Sequence, residues 1–242
     1  MQPVGPTVQG ELERALTTIC GAPVRVTGAG RTDAGVHATG QVISFRTASA
    51  LDGTGVGRGV NALLPADIAV SAVESVEDTF HARYSARSRT YEYRIRNAPG
   101  RAPLERLREL HVPQLLDVEA MRRAAGMLVG RHEFAAFAAG EGGEREVRRV
   151  ELLREGPVVR FTIEANGFLR GMVRGIVGTL LQVGRGKLDP ERFGEILRSG
   201  DRAQAGPSAR PCGLCLVAVE YGESGYQGHA EGSGEDLHDE GE

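Results

Sequence analysis

Long apolar runs and cysteines are both scarce in this chain of 242 residues. No run approaches the roughly 20 apolar residues that a membrane-spanning helix needs, and the opening MQPVGPTVQG has neither the basic nor the apolar region of a signal peptide. The three cysteines are Cys20, Cys212 and Cys215, and the one CxxC has no second pair and no nearby histidines. We therefore expect a cytoplasmic protein with no membrane contact, buried free thiols and no zinc site.

Lysine is nearly absent, since Lys187 is the only lysine among 29 basic residues. The positive charges are thus guanidinium groups, whose planar donors suit phosphates and stack on nucleobases. A GC-rich genome would produce the same bias, so arginine content does not decide the function. Residues 222–242 hold seven acidic residues and no basic one, and we expect a disordered acidic tail there. The remaining chain, with 29 basic and 25 acidic residues, has a net charge of +4.

The hydrophobic pattern predicts helices and strands in both halves of the chain. Thr7 is a plausible N-cap for a helix through Ile19. Further helices are predicted around 59–64, 117–130 and 168–184, and strands at 23–28, 41–47, 68–76, 90–97, 145–153, 157–166 and 214–221. This mixture predicts an α+β protein, and its occurrence in both halves suits two similar lobes.

Asp33 lies in GAGRTDAGVH, a glycine-rich segment predicted to connect two strands. A carboxylate in such a turn, with Arg31 two residues away, can stay ionised and act as a nucleophile. The other interpretation is an Asx-turn, in which the side chain caps its own backbone. The segment lacks the GxGxxG spacing or a following GK[ST], so a nucleotide phosphate loop is not predicted. Turn chemistry alone favours the Asx-turn.

Six ordered segments carry a recognisable pattern: GRTDAGVHATGQVISF, NALLPADIAV, FHARYSARSRTYEYRI, GRHEF, NGFLRGMVRGIVGTLLQVG and GLCLVAVEY. Together they closely resemble the tRNA pseudouridine synthase A family, whose signature is the first of them. The resemblance therefore covers nearly everything from Thr7 to Tyr221. Members usually begin with an additional strand, which we expect this chain to lack.

The resemblance implies the roles of four residues. Asp33 becomes the catalytic nucleophile, Tyr91 the tyrosine against the target base, and Arg174 the arginine paired with the nucleophile. Arg31 is implied to hold the flipped base or its phosphate. Taken singly, Tyr91 would suit a strand core, Arg174 would suit a solvated helix face one turn from Arg170, and His37 suits a backbone hydrogen bond rather than catalysis.

The resemblance also implies a fold, a substrate and an assembly. The expected fold has two α+β lobes, residues 1–97 and 98–221, with a mixed or antiparallel central sheet flanked by helices and an active cleft between them. The expected substrate is tRNA, at uridines 38 to 40 on the 3′ side of the anticodon stem-loop, and the expected assembly is a homodimer. No cofactor or metal is implied.

Two other functions stay open at this point. A weak or inactive RNA-binding protein could keep the family scaffold, and the absent first strand would favour it. A hydrolase or phosphotransferase with an aspartate nucleophile should carry metal-binding carboxylates near Asp33, and the sequence shows none there. The family's retained nucleophile, tyrosine and arginine favour the synthase.

Overall fold

The structure is a computed structural model that describes residues 6–222. Apart from Gly222, the predicted acidic tail lies outside the described residues. The helices within them are α1 Val8–Cys20, α2 Gly53–Leu63, α3 Val118–Gly126, α4 Met172–Gly184 and α5 Pro190–Ser199. The strands are β1 Thr27–Gly28, β2 His37–Ala38, β3 Ile43–Ser44, β4 Ser88–Arg96, β5 Leu110–His111, β6 Gly130–Glu133, β7 Glu144–Glu155, β8 Val158–Ala165 and β9 Leu214–Glu220.

Seven strands form one mixed sheet in the order β2-β9-β4-β8-β7-β6, with β5 paired to the end of β4. The pairs β2–β9 and β4–β5 are parallel and the others are antiparallel. Strands β1 and β3 form a separate antiparallel pair of two residues each. Helices flank the large sheet, so the predicted α+β fold with a mixed sheet is confirmed.

The buried residues form two hydrophobic clusters. The large cluster joins one face of the seven-stranded sheet to α3, α4 and α5, and includes Tyr93, Ile163 and Ile176, all fully buried. In β4 the alternation predicted for Tyr91, Tyr93 and Ile95 holds, because all three are buried. The small cluster lies between α1 and α2 and contains Leu16 and Val60.

The start of α4 differs from the prediction. Gly171, at a φ of 70°, precedes the first helical residue, Met172, so the helix does not extend back to Phe168. Arg170 is therefore outside the helix, and it does not lie one helical turn from Arg174. The predicted apolar stripe of this helix is present: Met172, Val173, Ile176, Val177 and Leu180 are all buried.

Two predicted strands are shorter than expected and a third is absent. The strands predicted at 23–28 and 41–47 pair over only two residues each. Residues 68–76 form no strand. At Val70 the backbone is bonded instead by the side-chain amide of Asn61. It donates to the Val70 carbonyl at 2.8 Å and accepts from the Val70 amide at 2.7 Å. Helix α5 was not predicted, although Pro190 at its start and Gly200 after its end are typical helix boundary signals.

Candidate active site

The segment that carries Asp33 is fixed at both ends by hydrogen bonds. Before Asp33, the Ala29 amide donates to the Val42 carbonyl at 2.8 Å, and Gln41 Nε2 donates to the Gly30 carbonyl at 2.9 Å. After Asp33, the chain turns at Gly35, which has a φ of 78°. It then enters β2, which pairs with β9 of the large sheet. Asp33 therefore lies in a loop that begins beside the small cluster and ends on the large sheet.

Arg174, in the first turn of α4, forms an ion pair with Asp33. Its Nη1 donates to Asp33 Oδ2 at 2.8 Å, and its Nε donates to the Ala209 carbonyl at 2.8 Å. The Ala209 amide donates in turn to the Arg174 carbonyl at 2.9 Å. Among the described residues, the Asp33 carboxylate accepts no hydrogen bond from its own loop, so the Asx-turn interpretation is not supported. The side chains of Asp33 and Arg174 remain 37% and 23% exposed, which leaves the pair accessible to a ligand.

Tyr91 lies close to this ion pair, on β4. A β-bulge in the β4–β9 pairing falls between Thr90 and Tyr91, and bulges of this kind change the direction of a neighbouring side chain. The ring packs edge-on against Phe168 with centroids 5.0 Å apart. Burial raises the pKa of Tyr91 to about 12, while the Arg89 cation opposes the rise and the negative charge of Asp33 adds to it. Tyr91 is therefore a neutral phenol at physiological pH.

Arg89 is a contributor to the site that the sequence did not identify. Its guanidinium donates to the carbonyls of Ala29 at 3.0 Å, Arg83 at 2.6 Å and Asn166 at 3.0 Å, and more weakly to that of Ala86 at 3.4 Å. Desolvation by burial lowers the pKa of Arg89. One side chain thus joins the segment leading to Asp33 and the segment leading to Arg174 to the strand that carries Tyr91. Because all these partners are backbone carbonyls, no sequence signal distinguished Arg89 from the other arginines.

The other sequence candidates lie at the edge of this arrangement. Arg31 is exposed, and it forms no hydrogen bond or ion pair with any described residue. His37 Nε2 donates to the Leu107 carbonyl, a backbone contact of the kind expected for this histidine. Asp33, Tyr91 and Arg174 therefore lie together, whereas Arg31 is solvated nearby in sequence.

The cysteines and carboxylates suggest no other kind of centre. All three cysteines are free and partly rather than fully buried. Within residues 6–222, no three His, Cys, Asp or Glu side chains are grouped as metal ligands. The same residues include no helix long and apolar enough to cross a membrane. The chemistry this site offers is that of a carboxylate oriented by an arginine, next to a neutral phenol.

Comparison with known proteins identifies the family. The sequence profile described as tRNA pseudouridine synthase matches residues 1–85 and 124–222, which is more than half of the chain. This chain belongs to the tRNA pseudouridine synthase family. The predicted family resemblance is thereby confirmed.

Individual relatives are similar in sequence to this chain over nearly the whole length of both proteins. The chain is 46% identical over 224 residues to a tRNA pseudouridine synthase A of Syntrophotalea carbinolica, covering 91% of this chain and 89% of the relative. It is 44% identical to the protein of the same name from Geotalea uraniireducens, covering 91% and 92%. For the one from Moorella thermoacetica the identity is 44%, with 90% of each chain covered.

Proposed function

We propose that this chain is an isomerase that converts uridine to pseudouridine in tRNA, with Asp33 as its nucleophile. The observation that carries the proposal is the Asp33–Arg174 ion pair, at 2.8 Å, beside the buried Tyr91 in a member of this family. The resemblance stated above further points to the 3′ side of the anticodon stem-loop. The reaction breaks the bond between uracil N1 and ribose C1′ and forms one between C5 and C1′. The proton leaves C5 and N1 gains one, so no redox cofactor is required.

The target base must leave the helical stack before it can reach a carboxylate between packed elements. Flipping costs a few kcal/mol, which stacking in the pocket and contacts with the RNA backbone offset. The edge-on pair of Tyr91 and Phe168 offers apolar surface for the flipped base. Burial raises the pKa of Tyr91 to about 12, so the tyrosine meets the base as a neutral phenol that packs against it and can form a hydrogen bond.

Arg174 is the residue that orients the nucleophile. With one nitrogen on Asp33 and another on the Ala209 carbonyl, its guanidinium is fixed in direction before the substrate arrives. Such preorganisation helps whether Asp33 attacks the uracil ring or the ribose carbon. Arg31, exposed and without a partner among the described residues, is available for the flipped base or its phosphate.

We further propose that the enzyme acts as a homodimer in the cytoplasm, with lobes at residues 1–97 and 98–221. The dimer is implied by the family resemblance. The compartment is inferred from the sequence, which shows no signal peptide and no membrane-spanning run, and the lobes from the resemblance together with the helices and strands in both halves. Light scattering at micromolar concentrations tests the dimer, for which a mass near twice 25.8 kDa is expected. A monomeric mass over that range would contradict it.

The activity is tested with unmodified tRNA labelled with tritium at C5 of its uridines. Pseudouridine formation releases this tritium to water, and we expect release that saturates at a small number of uridines per tRNA. A transcript with cytidine in place of the uridines on the 3′ side of the anticodon arm is the control. Release from neither tRNA would contradict the proposed activity, whereas equal release from both would contradict only the anticodon-arm assignment.

A further inference from the structure

Residues 107–109 contact β2, at the end of the loop that carries Asp33, and the segment that precedes β9. The Leu107 carbonyl accepts from His37, four residues after Asp33. Two residues later, the Glu109 carbonyl is contacted by Cys212 Sγ at 3.7 Å. Arg108 lies between these two attachments and is exposed. Its position is thus fixed beside the loop although its side chain is in solvent.

Arg210 is fixed beside the same loop through its two neighbours in the chain. The residue before it, Ala209, exchanges two hydrogen bonds with Arg174. The residue after it, Pro211, packs on the turn at Gly35, where an added Cβ would lie 3.2 Å from Pro211 Cγ. Arg210 is itself exposed, and the Tyr93 hydroxyl donates to its carbonyl at 2.7 Å. Its backbone is therefore attached both to the partner of Asp33 and to the loop that carries Asp33.

Neither of these arginines is neutralised by an acidic residue. Neither Arg108 nor Arg210 forms an ion pair with any residue in 6–222. Glu109, the acid adjacent to Arg108, is 5% exposed and is paired with Arg94 and Arg96. Uncompensated guanidinium groups fixed at the edge of an anionic substrate's site attract that substrate's phosphates.

We propose that Arg108 and Arg210, here called the arginine rim, bind the RNA phosphates that flank the flipped uridine. This inference rests on the proposed function, because it assigns backbone contacts to the same substrate. Phosphate contacts fix the register of a nucleic acid on a protein while base contacts select the sequence. Arg108 falls between the two parts of the chain that match the family profile, so that profile does not cover it.

The test compares two double variants that lose the same charge. Arg108→Ala with Arg210→Ala removes the rim. Arg123→Ala with Arg185→Ala is the control: both of these arginines are exposed, and neither has a side-chain partner among the described residues. Arg185 follows the last residue of α4, roughly 16 Å along the helix from Arg174. Dissociation constants for unmodified tRNA are measured for each protein at 50 mM and 200 mM salt.

Each lost phosphate contact should lower the salt slope of log Kd by about 0.7 to 0.9. For two contacts, the rise in Kd over this fourfold salt range becomes about tenfold smaller than in the wild type. The control variant is expected to keep the wild-type slope. Lysine at both rim positions should restore most of the slope, because a charge is enough for a phosphate contact.

Three results would overturn or separate the claims. A rim variant with the control's slope overturns the proposal. An unchanged slope combined with a changed oligomeric mass also overturns it. In that case Leu104 and Leu107, which are 91% and 61% exposed, would mark a contact with another protein chain. If the wild type releases no tritium from tRNA but the rim slope falls as expected, the rim stands as an RNA-binding surface and the proposed catalytic function fails.

Discussion

The two hydrophobic clusters differ in size and in what they position. The large cluster supports β4 and α4, so Tyr91 and Arg174 are on elements fixed by long ladders and a buried helix face. The small cluster supports β1 and β3, whose pairing covers two residues each, and the loop to Asp33 begins there. The proposed nucleophile is therefore on the side with less secondary structure.

This difference shows how the geometry at Asp33 is maintained. The loop is joined to α4 by the contact of Arg174 with Asp33. It is joined to the large sheet by the contact of Arg89 with the Ala29 carbonyl and by the pairing of β2 with β9. Each contact is made by residues far apart in sequence. Removing one of them should change catalysis more than stability, and the predictions below test this in order of decreasing effect.

Substitution of Arg174 is expected to have the largest of these effects. Arg174→Ala removes the charge-assisted hydrogen bond to Asp33 and should lower kcat for tritium release by about 10² to 10³. Arg174→Lys should recover only part of the loss, because a lysine ammonium group cannot donate to both Asp33 and the Ala209 carbonyl in the fixed geometry of a guanidinium. Arg170→Ala is the control and should stay within a factor of about two. An Arg174→Ala enzyme with wild-type kcat would contradict the assigned role.

We expect Arg89 to position the segments that lead to Asp33 and Arg174, and not to contact the substrate. Arg89→Met leaves the Ala29 and Asn166 carbonyls without their donor and should lower kcat by roughly 10 to 10², with little change in KM for tRNA. Arg154→Met is the control, because Arg154 donates to Asn97 Oδ1 at 2.8 Å and, more weakly, to the Leu116 carbonyl at 3.5 Å, away from Asp33. Both variants should lose stability. Equal kcat in the two variants would reduce Arg89 to a structural role.

A smaller effect is expected at Gly35. The φ of 78° is strained for any residue with a Cβ, and that atom would also approach Pro211 at 3.2 Å. Gly35→Ala should cost about 1 to 2 kcal/mol in the free energy of unfolding and lower kcat up to about tenfold. Gly156 has a φ of 57° and open space around it. As the control, Gly156→Ala should therefore lower stability without lowering kcat. A kcat loss in both variants would argue against a local effect at the loop.

The smallest effect concerns stability at alkaline pH. Burial raises the pKa of Tyr91 to about 12, above that of the same phenol in the unfolded chain. The stability this provides is complete below about pH 10 and is lost as the pH rises from 10 towards 12. Tyr91→Phe should therefore show a shallower fall in unfolding free energy over this range, by up to about 2 kcal/mol. Parallel curves for the two proteins would contradict this environment for Tyr91.

The sequence predicted buried faces most accurately where a regular hydrophobic pattern extended over many residues. The burial of Tyr91, Tyr93 and Ile95 in β4 followed from strict alternation, and the buried face of α4 followed from its apolar stripe. Residues 68–76 did not form the predicted strand, and at Val70 the backbone is bonded by the side-chain amide of Asn61 rather than by a strand partner. No local pattern distinguishes such a segment from a strand.

The candidate site was predictable mainly through the family resemblance. Asp33 and Arg174 are 141 positions apart, and no periodicity indicates that they meet. Arg89 could not be identified because its partners are backbone carbonyls, which every residue has. The start of α4 depended on the positive φ of Gly171, which composition does not reveal.

The most direct test of the account is Asp33→Asn, which keeps the shape of the side chain and removes the nucleophilic carboxylate. Wild type and variant are incubated with unmodified tRNA under single-turnover conditions, and pseudouridine is mapped. The account predicts pseudouridine in the wild type and a rate at least about 10⁴-fold lower in the variant, with tRNA binding retained. Full turnover by the Asp33→Asn enzyme would contradict it.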